Sequence, residues 1–290
     1  MKPAQFDYYD PTTLAEALSL LAEFGETARP LAGGQSLVPM MNMRLARPGQ
    51  VIDLNRIREL DYLKFDNGQL RIGAMTRQRA LERSARIAEG WPLLHEATRY
   101  IGHVQIRNRG TVGGSLAHAF PSAELPVVMV AMDASFVLRS SQGERTLSAL
   151  EFFVDAMTTA LNPGELLVEA RVPKWPVETG WAFQEISRRY GDFALMGVAA
   201  LLTVTSRGII DCARLVFTGA TPHSSKIAEQ QLVGQQPDAQ LFRDVATAAA
   251  AELETDSDIH ASAEYRKAVA GVLARRVLEQ AAGRVNSAPQ

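Results

Sequence analysis

Two short runs of this sequence join adjacent glycines to small hydroxyl residues. They are Ala32-Gly33-Gly34-Gln35-Ser36 and Thr111-Val112-Gly113-Gly114-Ser115. Glycine has no Cβ, so the backbone there can turn its N–H groups inward and approach a ligand closely. Successive inward N–H groups form a concavity suited to phosphate. Two such runs on one chain fit a ligand with two phosphates, or one long ligand held at two points. The first run lacks the Lys-Ser/Thr of a P-loop and the G-x-G-x-x-G spacing of a nicotinamide site. The run follows a strand and opens a helix or turn with Ser36 as its cap; its structural alternative is a tight turn. The second run continues as Gly113-Gly114-Ser115-Leu116-Ala117, which departs from a hydrolase nucleophile elbow at its last position.

Other residues offer binding rather than catalysis. Glu124 lies between prolines in Pro121-Ser122-Ala123-Glu124-Leu125-Pro126, where its carboxylate suits the hydroxyls of a sugar; the alternative is an exposed helix-cap acid. The aromatic residues of Ser187 to Phe193 suit the flank of a planar ring, or a plain turn. Cys212 is the only cysteine, so this chain cannot ligate an iron–sulfur cluster through its own thiolates. It is expected in the core. The histidines, His95, His103, His118, His223 and His260, have no metal-site spacing, so no metal is expected.

The elements that must carry these residues follow from pattern. Thr13 and Glu16 predict a capping box ahead of Leu14, Ala17, Leu18 and Leu21 at helical spacing, with Gly25 ending the helix. Ala28 to Leu31 and Val51 to Leu54 read as strands, the first feeding the first glycine run. Leu70 to Gly73, the hairpin around Ser141-Gln142-Gly143, and Leu166 to Val172 add strands. Leu125 to Met132 is continuously apolar. Pro173-Lys174-Trp175-Pro176 reads as a linker; beyond it come strands at Ala182 to Arg188, Met196 to Thr205 and Ala213 to Thr218. The Ala-rich stretch Ala239 to Ala282 is helical, with Val269, Val272, Leu273 and Val277 on one face. Asn286 to Gln290 are expected to fray.

With 290 residues, 47% hydrophobic, 21% charged and a net charge of −2, the chain has the balance of an ordinary globular protein. Such a charge gives no reason to expect nucleic acid or an anionic membrane as partner. Neither a signal peptide nor an apolar run of transmembrane length is apparent, so a cytoplasmic location and no membrane insertion are expected.

Taken in chain order, Phe6, Ala32 to Ser36, Arg44 to Pro48, Ile106 to Thr111, Gly113 to Pro126, Arg188 to Ala194, Asp258-Ile259-His260 and Tyr265-Arg266 resemble a known family. It is the flavoprotein (medium) subunit of the heterotrimeric molybdenum hydroxylases, the group of carbon monoxide dehydrogenase and of quinoline and nicotine hydroxylases. The resemblance implies an α+β fold. It consists of a two-subdomain FAD-binding domain of the PCMH type, residues 1–57 and 58–176, and a C-terminal α+β domain, 177–290. It implies that Ala32, Gly33, Gly34, Gln35 and Ser36 line the FAD pyrophosphate together with Thr111, Val112, Gly113, Gly114 and Ser115. Glu124 would lie near the ribityl or adenosine portion. The family often has Asp at Glu124 and Asn at Ser115.

The implied partners are a large molybdopterin-binding subunit and a small [2Fe–2S] subunit, assembled as a dimer of heterotrimers. Electrons would pass from the clusters through this subunit to an external acceptor. No residue need act as acid or base, so no catalytic residue is expected. Two alternatives remain open: a free-standing flavin oxidoreductase with its own substrate site, for which His118 is the nearest candidate, and a non-enzymatic nucleotide-binding subunit.

Overall fold

The first helix, Leu14–Phe24, begins where Thr13 places it: the Thr13 hydroxyl accepts the Glu16 N–H at 3.2 Å. The reciprocal half of the predicted box is displaced by one residue, since the Glu16 carboxylate accepts the N–H of Thr12 at 3.0 Å. Leu14, Ala17, Leu18 and Leu21 are all buried. The computed structural model describes residues 2–219 and 221–285; the expected frayed end, Asn286 to Gln290, lies outside them. Among the described residues, no helix is long and apolar enough to cross a membrane.

The chain forms two units. The first comprises the residues through Arg83, His103–Ala119 and Ala134–Pro173. It holds a three-stranded parallel sheet with Gln50–Asp53 between Asp7–Tyr9 and Ala28–Leu31. A five-stranded antiparallel sheet runs in the order Leu63–Asp66, Gln69–Gly73, Leu166–Pro173, Ser135–Ser140, Gly143–Ser148. The first helix shares one core with both sheets, its leucines packing with Ile52, Val137 and Val168. Phe136, Phe152 and Phe153 form an edge-to-face cluster, with ring centroids 4.9 to 5.9 Å apart.

The second unit comprises Ser84–Gly102, Phe120–Asp133 and the chain from Lys174. Its antiparallel sheet runs Thr179–Ser187, Ala194–Val204, Ile210–Phe217, His223–Ser224. Lys226–Leu232, Ala239–Glu252 and Ala263–Val285 cover one face, burying Ala182, Val198, Ala200 and Leu202. Pro92–Thr98 and Glu124–Ala131 also pack on these strands, and Tyr100 meets Phe183 with ring centroids 5.2 Å apart. Alternate residues of the central strand are therefore both covered, which explains its unbroken apolar run. Glu124–Ala131 is buried at all eight positions, so its sequence carries no helical period.

Three expectations fall differently. The Ala-rich stretch is two helices, interrupted between Glu252 and Ala263 by a turn in which Asp258 accepts the N–H groups of His260 and Ala261. Val272 points outward at 44% exposure, apart from Leu273 and Val277. Cys212 is only half-buried, its sulfur 3.7 Å from the Arg214 guanidinium.

Gly180 lies so close beneath the helix Ala263–Val285 that a Cβ would fall on the carbonyl oxygen of Ala281. Gly180→Ala should destabilise the chain by about 1–3 kcal/mol through overpacking. Gly283, in the same helix, has open space where a Cβ would go. Gly283→Ala should stabilise by about 0.5 kcal/mol. Urea denaturation followed by circular dichroism checks both signs.

Candidate functional site

The first glycine run leaves the parallel sheet at the end of Ala28–Leu31, where Leu31 pairs with Asp53. Gly34 takes φ +72°, a conformation that favours glycine. Among the described residues, none accepts the backbone N–H of Gly33, Gly34, Gln35 or Ser36. Four consecutive amides are thus open to a ligand, and an unsatisfied amide in a closed site is costly unless a ligand takes it. Ser36 occupies the expected cap position of the helix Leu37–Asn42, but its side chain makes no cap hydrogen bond.

The second run is built differently. Val112 donates its N–H to Thr76 O at 2.9 Å, and Gly113 to Ala74 O at 2.8 Å. Gly114 donates to the Thr111 hydroxyl at 3.0 Å, and Ser115 to Thr111 O at 3.2 Å. All four amides are spent inside the chain. Here the glycines serve close packing: a Cβ at Gly113 would lie 2.5 Å from Ala74 Cβ, and one at Gly114 2.7 Å from the Thr111 hydroxyl.

The two runs meet within the first unit. A Cβ at Gly33 would fall on the Arg109 carbonyl oxygen and lie 2.8 Å from Gly110 Cα. A Cβ at Gly114 would touch Ala32 Cβ at 3.4 Å. Side chains that the sequence did not single out fix this approach. Asn55 Nδ2 donates to Ala32 O at 2.9 Å, and its Oδ1 accepts from Arg77 Nη2 at 2.6 Å. Arg77 Nη1 donates to Arg109 O. Burial, and then the nearby charge of Arg109, hold the Arg77 pKa below its ordinary value. Two guanidinium groups beside one backbone crossing favour an anion there. Behind them, Arg107 is 3% exposed and grips Glu82 with Nε at 2.8 Å and Nη2 at 3.2 Å. That pair ties the helix Val104–Arg109 to the helix Gln78–Arg83.

Glu124 belongs to the second unit, as the first residue of Glu124–Ala131. It is 7% exposed, so it is not the exposed cap acid of the alternative reading. In the same unit, Phe193 and Tyr190 are exposed, and Phe193 meets Phe120 with ring centroids 4.5 Å apart. His118 ends the helix Val112–His118 in the first unit, and burial lowers its pKa, which favours the neutral ring.

The model of the FAD binding domain in molybdopterin dehydrogenase matches residues 4–175, and that of the CO dehydrogenase flavoprotein C-terminal domain matches residues 181–281. The chain belongs to this flavoprotein family. It is 41% identical to the 6-hydroxypseudooxynicotine dehydrogenase complex subunit alpha of Paenarthrobacter nicotinovorans, over 97% of this chain and 96% of the relative. It is 37% identical to the carbon monoxide dehydrogenase medium chain of Hydrogenophaga pseudoflava, over 97% and 98% of the two chains. The solved carbon monoxide dehydrogenase of Hydrogenophaga pseudoflava superposes with a TM-score of 0.95 at 38% identity, covering 98% of this chain and 99% of that one. Quinoline 2-oxidoreductase from Pseudomonas putida 86 gives 0.94 at 35% identity, over 98% and 99%. The chain is thus an FAD flavoprotein of the medium-subunit type and a component of an oxidoreductase, with the mixed α+β fold of its relatives. The residues present fit FAD: the open amides at Gly33 to Ser36 suit a diphosphate, and Gly33 leaves no room for a side chain.

Two variants test how the site is held. Asn55→Leu removes the anchor of Ala32 O and a partner of Arg77; FAD affinity should fall about 10-fold, for the loss of about one to two hydrogen bonds. Fluorescence titration with FAD measures it. Arg107→Leu removes one of Glu82's two arginine partners and leaves Arg79, at 2.6 Å, as the other; it should cost about 1–3 kcal/mol of stability. Hydrogen bonding to Arg107 holds the Glu82 pKa down at about 2. Its stabilisation is therefore present above the ordinary carboxylate range and is lost as pH falls towards about 2. Acid titration of the unfolding free energy should show that loss in the parent chain and a smaller one in Arg107→Leu.

Proposed function

We propose that this chain is the electron-transferring medium subunit of a heterotrimeric molybdenum hydroxylase. It passes electrons from the [2Fe–2S] clusters of a small subunit to an external acceptor, while hydroxylation takes place on a large molybdopterin-binding subunit. A dimer of such heterotrimers in the cytoplasm is the assembly we infer. The domain division we favour is 1–57 and 58–176 for FAD binding and 177–290 for the C-terminal domain. Carbon monoxide dehydrogenase and nicotine 6-hydroxylase, to whose medium chains this one is similar, give the reading its class.

The observation that carries the site is the run of open amides from Gly33 to Ser36, folded against a second glycine run. In this reading Ala32, Gly33, Gly34, Gln35 and Ser36 line the pyrophosphate, and the amides of the last four donate to it. Thr111, Val112, Gly113, Gly114 and Ser115 set its depth, with the Ser115 hydroxyl as a side-chain donor. Glu124 accepts hydrogen bonds from the hydroxyls of the ribityl or adenosine portion. Bound FAD supplies one- and two-electron redox chemistry; the chain binds it, orients it and tunes it. No side chain need move a proton in the relay, so none is assigned as catalytic.

The test is the visible spectrum of the chain, and of its co-purified complex, after incubation with FAD and desalting. Released FAD is identified by chromatography. Gly34→Val forces a β-branched residue to φ +72°, and Gly114→Val drives a side chain into Thr111 and Ala32. Both variants should lose FAD while keeping their circular dichroism. Full flavin content in both would overturn the pyrophosphate assignment.

A further inference from the structure

Glu185 is a carboxyl group placed where a strand offers little water. It lies near the end of Thr179–Ser187 and pairs across the sheet with Gly197. Its Oε2 is buried and has no hydrogen-bond partner among the described residues. The absence of a side chain at Gly197 makes room here: a Cβ there would lie 3.0 Å from Thr218 Cγ2 and 3.5 Å from Glu185 Cβ. The Thr218 hydroxyl accepts the Gly197 N–H at 2.9 Å. The next residue, Gly219, donates its N–H to Pro121 O at 3.1 Å. Pro121 lies in the turn that leads into Glu124. A continuous series of contacts within the second unit thus joins Glu185 to the segment carrying Glu124.

Among the described residues no cation forms an ion pair with Glu185, although Arg284 and Arg99 act on the neighbouring Tyr100. The strand Ala194–Val204 beside it has no ionisable side chain. The helix Pro92–Thr98 carries His95 and Glu96, and Tyr100 follows it; burial first, then the charges of Glu96 and Glu185, raise the Tyr100 pKa. From Ala263–Val285, Arg284 binds Glu96 at 3.0 Å and stacks on Trp181 at 3.6 Å, while Gln280 accepts from Gln184 at 2.9 Å. Among the described residues no ion pair reaches Glu185. Burial, and secondarily the negative charge of Glu124, push its pKa up to about 9. Two ionised carboxyls in such an enclosure repel, and one is kept neutral.

We propose that Glu185 is a positioning residue that stays protonated at neutral pH, leaving Glu124 as the single carboxylate of this enclosure and so keeping it in place to accept hydrogen bonds from the FAD hydroxyls. The inference rests on the reading of Glu124 as a cofactor ligand. It explains how a glutamate can be enclosed next to Glu124 without displacing it: the second group contributes volume and a proton but no charge. Ionising Glu185 puts a second negative charge against Glu124 and loosens the grip on an already anionic cofactor.

The experiment is an alkaline titration of the FAD-loaded chain, with retained flavin measured after desalting. Retention should fall with a midpoint near pH 9 in the parent chain and stay level through that range in Glu185→Gln. Glu124→Gln should bind FAD about 10-fold more weakly at every pH, for the loss of a charge-assisted hydrogen bond. Infrared titration of the parent chain supplies a readout that does not depend on any variant folding. A protonated-carboxyl carbonyl band present at neutral pH should disappear as flavin retention falls. No such band, or an alkaline profile in Glu185→Gln like that of the parent, overturns the inference. A Glu124→Gln variant that binds FAD normally overturns the reading of Glu124 and the inference with it. A weakened Glu124→Gln beside an unshifted Glu185→Gln overturns the carboxyl pair alone.

Discussion

The candidate site in the first unit depends on the crossing of two backbones at Gly33 and Arg109–Gly110. No side chain fits between them, since a Cβ at Gly33 would occupy the Arg109 carbonyl oxygen. That oxygen also accepts from Arg77, and Arg77 in turn holds Asn55, which holds Ala32. The loop is therefore held at Ala32 O by Asn55, and the backbone it crosses is held at Arg109 O by Arg77, while the amides of Gly33 to Ser36 stay open among the described residues. A loop fixed through its acceptors presents its donors without further ordering, which lowers the entropic cost of taking a ligand. The buried Arg107–Glu82 pair stands behind the same crossing and fixes the helix that ends in Arg109.

The two glycine runs look alike in sequence and differ in work. In the first, absent side chains and a positive φ leave four amides without acceptors among the described residues. In the second, the amides are taken by Ala74, Thr76 and Thr111, and the glycines let a helix approach the neighbouring backbone. The division is physically reasonable. A diphosphate needs a concentrated set of donors, and a second wall needs only to stand close without clashing. Charge adds to this: burial and then the charge of Arg109 disfavour the proton of Arg77, a cost that an incoming anion relieves.

Much of the fold was legible because its signals are local. Thr13 marks its helix by a hydroxyl three residues from an amide, and the amphipathic leucines follow at once. Glu124–Ala131 was legible only as apolar, because a helix buried on every side has no polar face to set its period. The break after Glu252 was missed because Ala-rich sequence favours helix throughout, while the Asp258 turn depends on a carboxylate accepting its own following amides. At the site, the glycine runs stand out by residue type alone. The acceptors that close the second run do not, since Ala74 and Thr76 reach it only through the fold. Asn55 and Arg77 were invisible for the same reason: each binds a carbonyl oxygen far away in sequence.

An electron relay asks something of a protein that differs from what acid–base catalysis asks. Proton transfer needs a side chain of matched pKa within hydrogen-bond reach of a reacting atom. A bound redox group carries the reaction chemistry itself, so the chain must supply position and electrostatics. The residues found here divide accordingly. Backbone amides, glycines and a clamp of Asn and Arg dominate the first unit, and Glu185, a carboxyl whose pKa burial and then the charge of Glu124 raise, lies in the second unit. Such a group is poorly suited to relay protons at neutral pH, because it holds its proton until well into the alkaline range. It is well suited to limit charge, and beside a carboxylate proposed to bind an anionic cofactor that is the more useful property.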